Sequence, residues 1–293
     1  MGIDVNGARF LLDAGHNGVV FDICATLGRQ ELFVSAEELR MIFGRFSLPM
    51  SGENATRVAG SQGGKRYAES FLDLCGAKQI VSFDNSDYES AAVVHDMNRE
   101  VPGEYHGRFD CVIDGGTLEH VFNFPVAIRN CMRMVKPGGH FLAMTPCNNF
   151  MGHGFYQFSP ELFYGVFSES NGFSVERMFI FESRPNAQWY RVADPKRIGG
   201  RVELVNSAMT YLLVQARRVA VRDLSDITPQ QSDYVLMWDE KNPSAVMRGD
   251  DPVISAFTRF KGMLKGNLRR AARVIPVESL RTPFCRPWYE PYE

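Results

Sequence analysis

Residues 109–123 read FDCVIDGGTLEHVFN, and residues 134–146 read MVKPGGHFLAMTP. The first stretch opens with a short apolar run, Phe109–Ile113, that stops at Asp114 and two glycines. An apolar run of that length bounded by glycine reads as a buried strand. Glu119-His120-Val121 follows, and Pro125 stands where a helix favours proline, in its first turn. That helix is expected to run to Val135. Lys136-Pro137-Gly138-Gly139 predicts a tight turn, and His140–Thr145 a second strand.

The same rhythm extends in both directions. Upstream, Val19–Ala25, Gln79–Phe83 and Ala92–His95 read as strands. The first stops at Thr26-Leu27-Gly28-Arg29-Gln30, the second at Asp84 and the third at Asp96. Helices are expected within residues 1–17, over Ala36–Phe43 behind the capping box Ser35/Glu38, and from Tyr67 to a stop at Gly76. Residues 47–66 are rich in Gly, Ser and Asn and read as a long loop insertion. Downstream, a helix opens at Ser159-Pro160-Glu161 and closes near Asn171-Gly172. Phe173–Phe181 then reads as a strand, followed by an Arg- and Pro-rich loop and a last strand formed by Leu204–Asn206 and Thr210–Ala216. Strands alternating with helices predict an α/β fold, an open and mostly parallel sheet with helices on both faces. Such sheets bind ligands beyond the carboxyl ends of their strands, where Asp84, Asp96 and Asp114 stand.

Composition bounds the rest. The chain has 293 residues, is 45% apolar and carries a formal net charge of -2. No overall basicity points to nucleic acid, and no apolar stretch reaches the roughly 20 residues of a membrane span. The six cysteines never form C-x-x-C and fall within apolar segments, which predicts small core fillers, a reducing cytoplasmic setting and no metal centre. Residues 1–219 form one expected domain and residues 220–293 a C-terminal extension. Within the extension, Val253–Val274 reads as an amphipathic helix whose Lys261, Lys265, Arg269, Arg270 and Arg273 supply positive charge. That face is either solvated or docks weakly to a partner or an anionic surface. The proline- and aromatic-rich tail is expected to pack on the main domain or on a second subunit, which leaves a homo-oligomer open.

The two opening segments resemble the second half of a class I S-adenosylmethionine-dependent methyltransferase. The resemblance covers residues 19–219 and is strongest over 77–175. It implies a Rossmann-like, seven-stranded sheet whose last strand is inserted antiparallel. It also implies roles for the strand ends. Asp84, with Asn85 beside it, would accept the cofactor's ribose hydroxyls, which suits a carboxylate able to take two donors. Asp96 and Met97 would flank the adenine, and Asp114, Gly115 and Gly116 would line the methionine portion. Gly28 and Arg29 stand where the family carries several glycines and an acidic residue. This chain has one glycine there, which leaves two readings: Arg29 offers a charged fork to the cofactor carboxylate, or the loop has lost the cofactor.

The segment CNNFMGHGFYQFSPELF, 147–163, follows the strand after which this family places substrate contacts. His153, between two glycines, is the candidate general base, because a neutral imidazole takes a proton near pH 7. Glu119 and His120 are the next catalytic candidates. Asn148, Asn149, Tyr156 and Gln157 offer hydrogen bonds and a ring to an acceptor. The N-P-P-Y-like tetrad of base- and glutamine-directed enzymes is absent, which points to O- or N-methylation of a small molecule or sugar. Two alternatives compete: a methyltransferase-like binding or assembly subunit without catalysis, and a nicotinamide-dependent oxidoreductase. The latter lacks both G-x-G-x-x-G after its first strand and a Y-x-x-x-K pair.

Overall fold

The computed structural model describes residues 2–60, 66–225, 227–240 and 289–292. The predicted helix 253–274, Cys285 and residues 61–65 of the insertion lie outside them.

A short strand β1 (Gly2–Ile3) leads into helix α1 (Val5–His16), whose Asp4 cap accepts the Gly7 N–H. Strand β2 (Ile23–Leu27) and the short β3 (Glu31–Leu32) follow, with β1 and β3 paired in parallel. Helix α2 (Ala36–Arg45) starts at the predicted capping box: the Ser35 hydroxyl accepts the Glu38 N–H, and the Glu38 carboxylate accepts the Ser35 N–H. Part of the expected loop 47–66 is instead a helix, α3 (Gly52–Ala59), capped by Ser51. Ala55, Val58 and Ala59 recur at helical spacing and are buried, a short apolar face that the polar residues around it hide from a compositional reading.

Helix α4 (Glu69–Leu74), strand β4 (Gln79–Asp84) and the short β5 (Val93–Val94) come next. The opening segments then give β6 (Phe109–Asp114), α5 (Phe124–Met134) and β7 (Val135–Asn148). The predicted turn at 136–139 lies inside β7, where the pairing with β6 slips between Phe109 and Cys111. Helix α6 (Pro160–Val166), strands β8 (Phe173–Glu182) and β9 (Trp189–Val192), helix α7 (Pro195–Ile198) and strand β10 (Thr210–Arg218) complete the main body. Residues 204–206, expected as strand, are irregular. Helix α8 (Ser232–Glu240) and strand β11 (Tyr289–Tyr292) belong to the predicted extension.

The main sheet runs β11-β9-β8-β10-β7-β6-β2-β4-β5. Its strands β5, β4, β2, β6 and β7 are parallel neighbours, and β10 lies antiparallel between β7 and β8. The inserted antiparallel strand is thus present. The sheet has nine strands and is mixed, where seven were expected. The addition is at one edge: β9 pairs with β8, and β11 with β9. An open sheet edge carries unpaired backbone groups, and these strands cover it.

Alternating residues feed one core on each face. Ala25, Leu27, Val112, Phe141 and Ala143 pack with α5 and α6, whereas Cys24, Cys111, Ile113 and Leu142 pack with α1 and α2. Cys24, Cys111 and Cys131 are fully buried, and the five described cysteines are free.

Candidate active site

From β2 the chain moves outward to β4 and β5, then returns to the other side of β2 for β6 and β7. The strand order therefore reverses between β2 and β6, and the carboxyl ends of these two strands flank the crevice where such sheets take ligands. Leu27 and Asp114 end these strands as paired neighbours. Thr117 Oγ1 donates to the Leu27 carbonyl at 2.7 Å across the crevice. Gln30, buried at 2% exposure, leans over Gly115, and a side chain at that glycine would collide with its amide. Asp114 is fully buried. Its Oδ1 accepts the N–H groups of Thr117 (2.8 Å) and Leu118 (3.4 Å), and burial nevertheless pushes its carboxyl up to about 7. Two buried acceptors here, Asp114 Oδ2 and Gln30 Oε1, have no hydrogen-bond partner among the described residues.

The other strand ends are more open. Asp84 is half-buried at the end of β4, with Oδ1 3.3 Å from the Ser86 N–H, and Asn85 is exposed beside it. Asp96 Oδ1 accepts from the Asn98 backbone (2.9 Å) and side chain (2.7 Å), which holds its carboxyl below the usual range. Met97 is buried. Gly28 donates its N–H to the Phe83 carbonyl. Arg29 does not project a free fork. Its Nε is 2.7 Å from Glu69 Oε1, its Nη1 donates to the Glu89 carbonyl, and its guanidinium lies 3.9 Å over the Tyr67 ring.

The three catalytic candidates come together. A 3₁₀ turn, Leu118–His120, follows Asp114, and the loop 149–158 folds back onto it. The Glu119 carbonyl accepts the N–H groups of both Phe155 (2.7 Å) and Tyr156 (3.2 Å). His153 Nε2 then stands 3.7 Å from Glu119 Oε1, and the rings of His120 and His153 are 5.2 Å apart. The Glu119 side chain is 1% exposed and that of His153 46%. Burial, then the Asp114 charge, pushes the Glu119 carboxyl up to about 8, and Thr145 Oγ1 lies 3.5 Å from its Oε2. Burial, then His153, lowers the His120 imidazole.

The four expected acceptor contacts are engaged with their own chain. Asn148 and Asn149 bond to Asn206, Asn149 also to the Ala208 carbonyl, Gln157 accepts the Phe150 N–H, and the Tyr156 hydroxyl donates to the Phe122 carbonyl at 2.6 Å. These bonds fix the loop that carries His153. Gln30 and Thr145 escaped the sequence reading, because a lone Gln after a strand and a Thr at a strand end carry no signal of their own.

An open α/β sheet with this reversal, an antiparallel insertion and an acidic crevice defines a Rossmann-like ligand-binding class. Within it, residues 60–202 match the family of the methyltransferase domain. That segment is a methyltransferase domain, of the class that uses S-adenosylmethionine. No curated protein matches the chain in sequence. Among solved structures, the chain is similar to an S-adenosylmethionine-dependent methyltransferase from Mesorhizobium loti (17% identity over 73% of this chain and 100% of the other, TM-score 0.39). It is also similar to the 1,6-didemethyltoxoflavin-N1-methyltransferase of Burkholderia thailandensis, solved with 1,6-didemethyltoxoflavin and S-adenosylhomocysteine (13% identity over 74% and 78%, TM-score 0.39). Likenesses this low add nothing to the assignment, which rests on the family match and the strand order. Among the described residues, no helix is long and apolar enough to cross a membrane.

Proposed function

We propose that this protein transfers the methyl group of S-adenosylmethionine to an oxygen or nitrogen of a small-molecule or sugar acceptor. The observation that carries the reading is the meeting of Glu119, His120 and His153 beside the switch-point crevice. The sulfonium already activates the methyl group, so the protein has to position the acceptor and receive its proton. His153 takes that proton, and the buried Glu119 carboxyl orients the imidazole. The unpartnered acceptors Asp114 Oδ2 and Gln30 Oε1 suit the ammonium of the methionyl portion, alongside Gly115 and Gly116. Asp84 and Asn85 face the ribose, and Asp96 and Met97 the adenine. Gly28 lines the crevice, and Arg29 shapes the loop through Glu69 and Tyr67. The free, buried cysteines suit a cytoplasmic setting.

Calorimetric titration with S-adenosylhomocysteine, followed by turnover of His153→Ala on candidate acceptors, tests the reading. Positioned acid–base catalysis contributes about 100- to 10,000-fold, so the variant should lose turnover on that scale while binding S-adenosylhomocysteine normally. A wild-type protein that does not bind S-adenosylhomocysteine at millimolar concentration would overturn the proposal.

A further inference from the structure

We infer that Glu119, His120 and His153 together form a binding site for a divalent first-row transition cation such as Zn²⁺. The inference builds on the proposed active site and adds a component to it. One donor atom from each residue lies within 4.8 Å of the other two, and the Glu119 Oε1–His153 Nε2 separation is 3.7 Å. Ligand atoms around a tetrahedral cation with bonds of about 2.1 Å stand roughly 3.4 Å apart. Closing the site therefore takes a shortening of about 1.4 Å at most in any one separation, within reach of small χ rotations of the two exposed imidazoles.

The donor set is selective. Two imidazoles and one carboxylate suit zinc and its first-row neighbours, whereas magnesium and calcium favour all-oxygen sets. Three protein ligands, two of them exposed, leave a coordination position open to solvent, as catalytic rather than purely structural sites do.

The surroundings point the same way. Glu119 is almost wholly buried, and among the described residues its ion-pair neighbour is His153 rather than a lysine or arginine. A buried carboxylate needs a proton or a cation beside it. The backbone fixes the approach of the two ligand-bearing segments. Gly154 has φ +77°, and a Cβ there would sit 2.8 Å from the Glu119 carbonyl oxygen and 3.1 Å from His120 Nδ1. Only a glycine allows the His153 loop this close.

A bound cation changes how the acceptor is activated. An acceptor hydroxyl that coordinates the cation through oxygen releases its proton to water. That oxygen then forms the O–CH₃ bond as the S–CH₃ bond breaks, and the sulfonium leaves as the neutral thioether. His153 acts as ligand in the loaded protein and as base in the metal-free one. Loss of turnover in His153→Ala fits both states, so the decisive measurement is binding.

Untagged full-length protein, stripped with chelator, is titrated with Co²⁺ and followed by visible absorption, and with Zn²⁺ by calorimetry. One equivalent of Co²⁺ should give intense ligand-field bands that Zn²⁺ displaces. His120→Ala and His153→Ala should each weaken Zn²⁺ binding tenfold or more, and the double variant should abolish it. His106→Ala, outside the cluster, should bind as wild type. Circular dichroism and S-adenosylhomocysteine affinity confirm that each variant is folded. No cobalt bands in the wild type, or Zn²⁺ binding that survives in a folded double variant, would overturn the inference. Normal S-adenosylhomocysteine binding in that event would leave the methyltransferase reading standing.

Discussion

Gly154 has a left-handed backbone, and its neighbourhood has no room for a side chain. Gly154→Ala should therefore lower stability by about 1–2 kcal/mol through the backbone alone. It should also move His153 away from Glu119, so turnover falls while S-adenosylhomocysteine affinity holds; melting curves and calorimetry check both parts. Asp114 gives a pH signature. Its folded pKa of about 7 lies above the unfolded value, so the unfolded chain releases this proton first. The stability it contributes is fully present below about pH 4 and is lost as pH rises through 7. Asp114→Asn removes that titration and keeps an oxygen for the Thr117 and Leu118 N–H groups. The stability difference between wild type and variant, measured by denaturant from pH 4 to 8, should shift steadily in favour of the variant. A difference independent of pH would show that Asp114 is ionised throughout. At Asp84, loss of a charge-assisted pair of hydrogen bonds in Asp84→Ala should weaken S-adenosylhomocysteine by about 1.5–3 kcal/mol, and unchanged affinity would remove Asp84 from the ribose role.

Helix α2 begins at a capping box that was readable from Ser35 and Glu38 three residues apart, because the bonds that make it are local. Ser35→Ala should cost about 0.5–2 kcal/mol, seen as a lower urea midpoint at constant m-value. Helix α3 shows the opposite case. Its residues look like a loop in composition, and they become helical because Ala55, Val58 and Ala59 find a surface to cover. Strand β9 was hidden for a related reason. Trp189 and Val192 alternate too briefly to stand out, and pairing with β8 and β11 decides their conformation.

Across the whole molecule, β11 ties the C-terminal tail to the main sheet. The Tyr292 ring packs at a tilt against Phe179, centroids 4.6 Å apart, and its hydroxyl donates to Asp13 at 2.9 Å while accepting from Arg177. Asp13 and Arg177 are themselves a buried ion pair, so the tail completes a network that joins α1, β8 and β11. Tyr292→Phe keeps the ring and strips both bonds, and should cost about 1–3 kcal/mol by thermal unfolding. An unchanged melting temperature would show that the tail strand does not load this network.

The sequence by itself determined the α/β class, the strand–helix–strand unit around Asp114 and Glu119, and the acidic strand ends. Each of these follows from periodicity, from glycine and proline at fixed offsets, or from local caps, all of which act over a few residues. Only the tertiary structure decided that Glu119 and His153 meet, that Gln30 covers Gly115 and that Arg29 is spent on Glu69. Those contacts join residues 34 to 85 positions apart along the sequence. Their distances depend on how the sheet stacks its strands and on which side chains fill the gaps, and no local pattern encodes that.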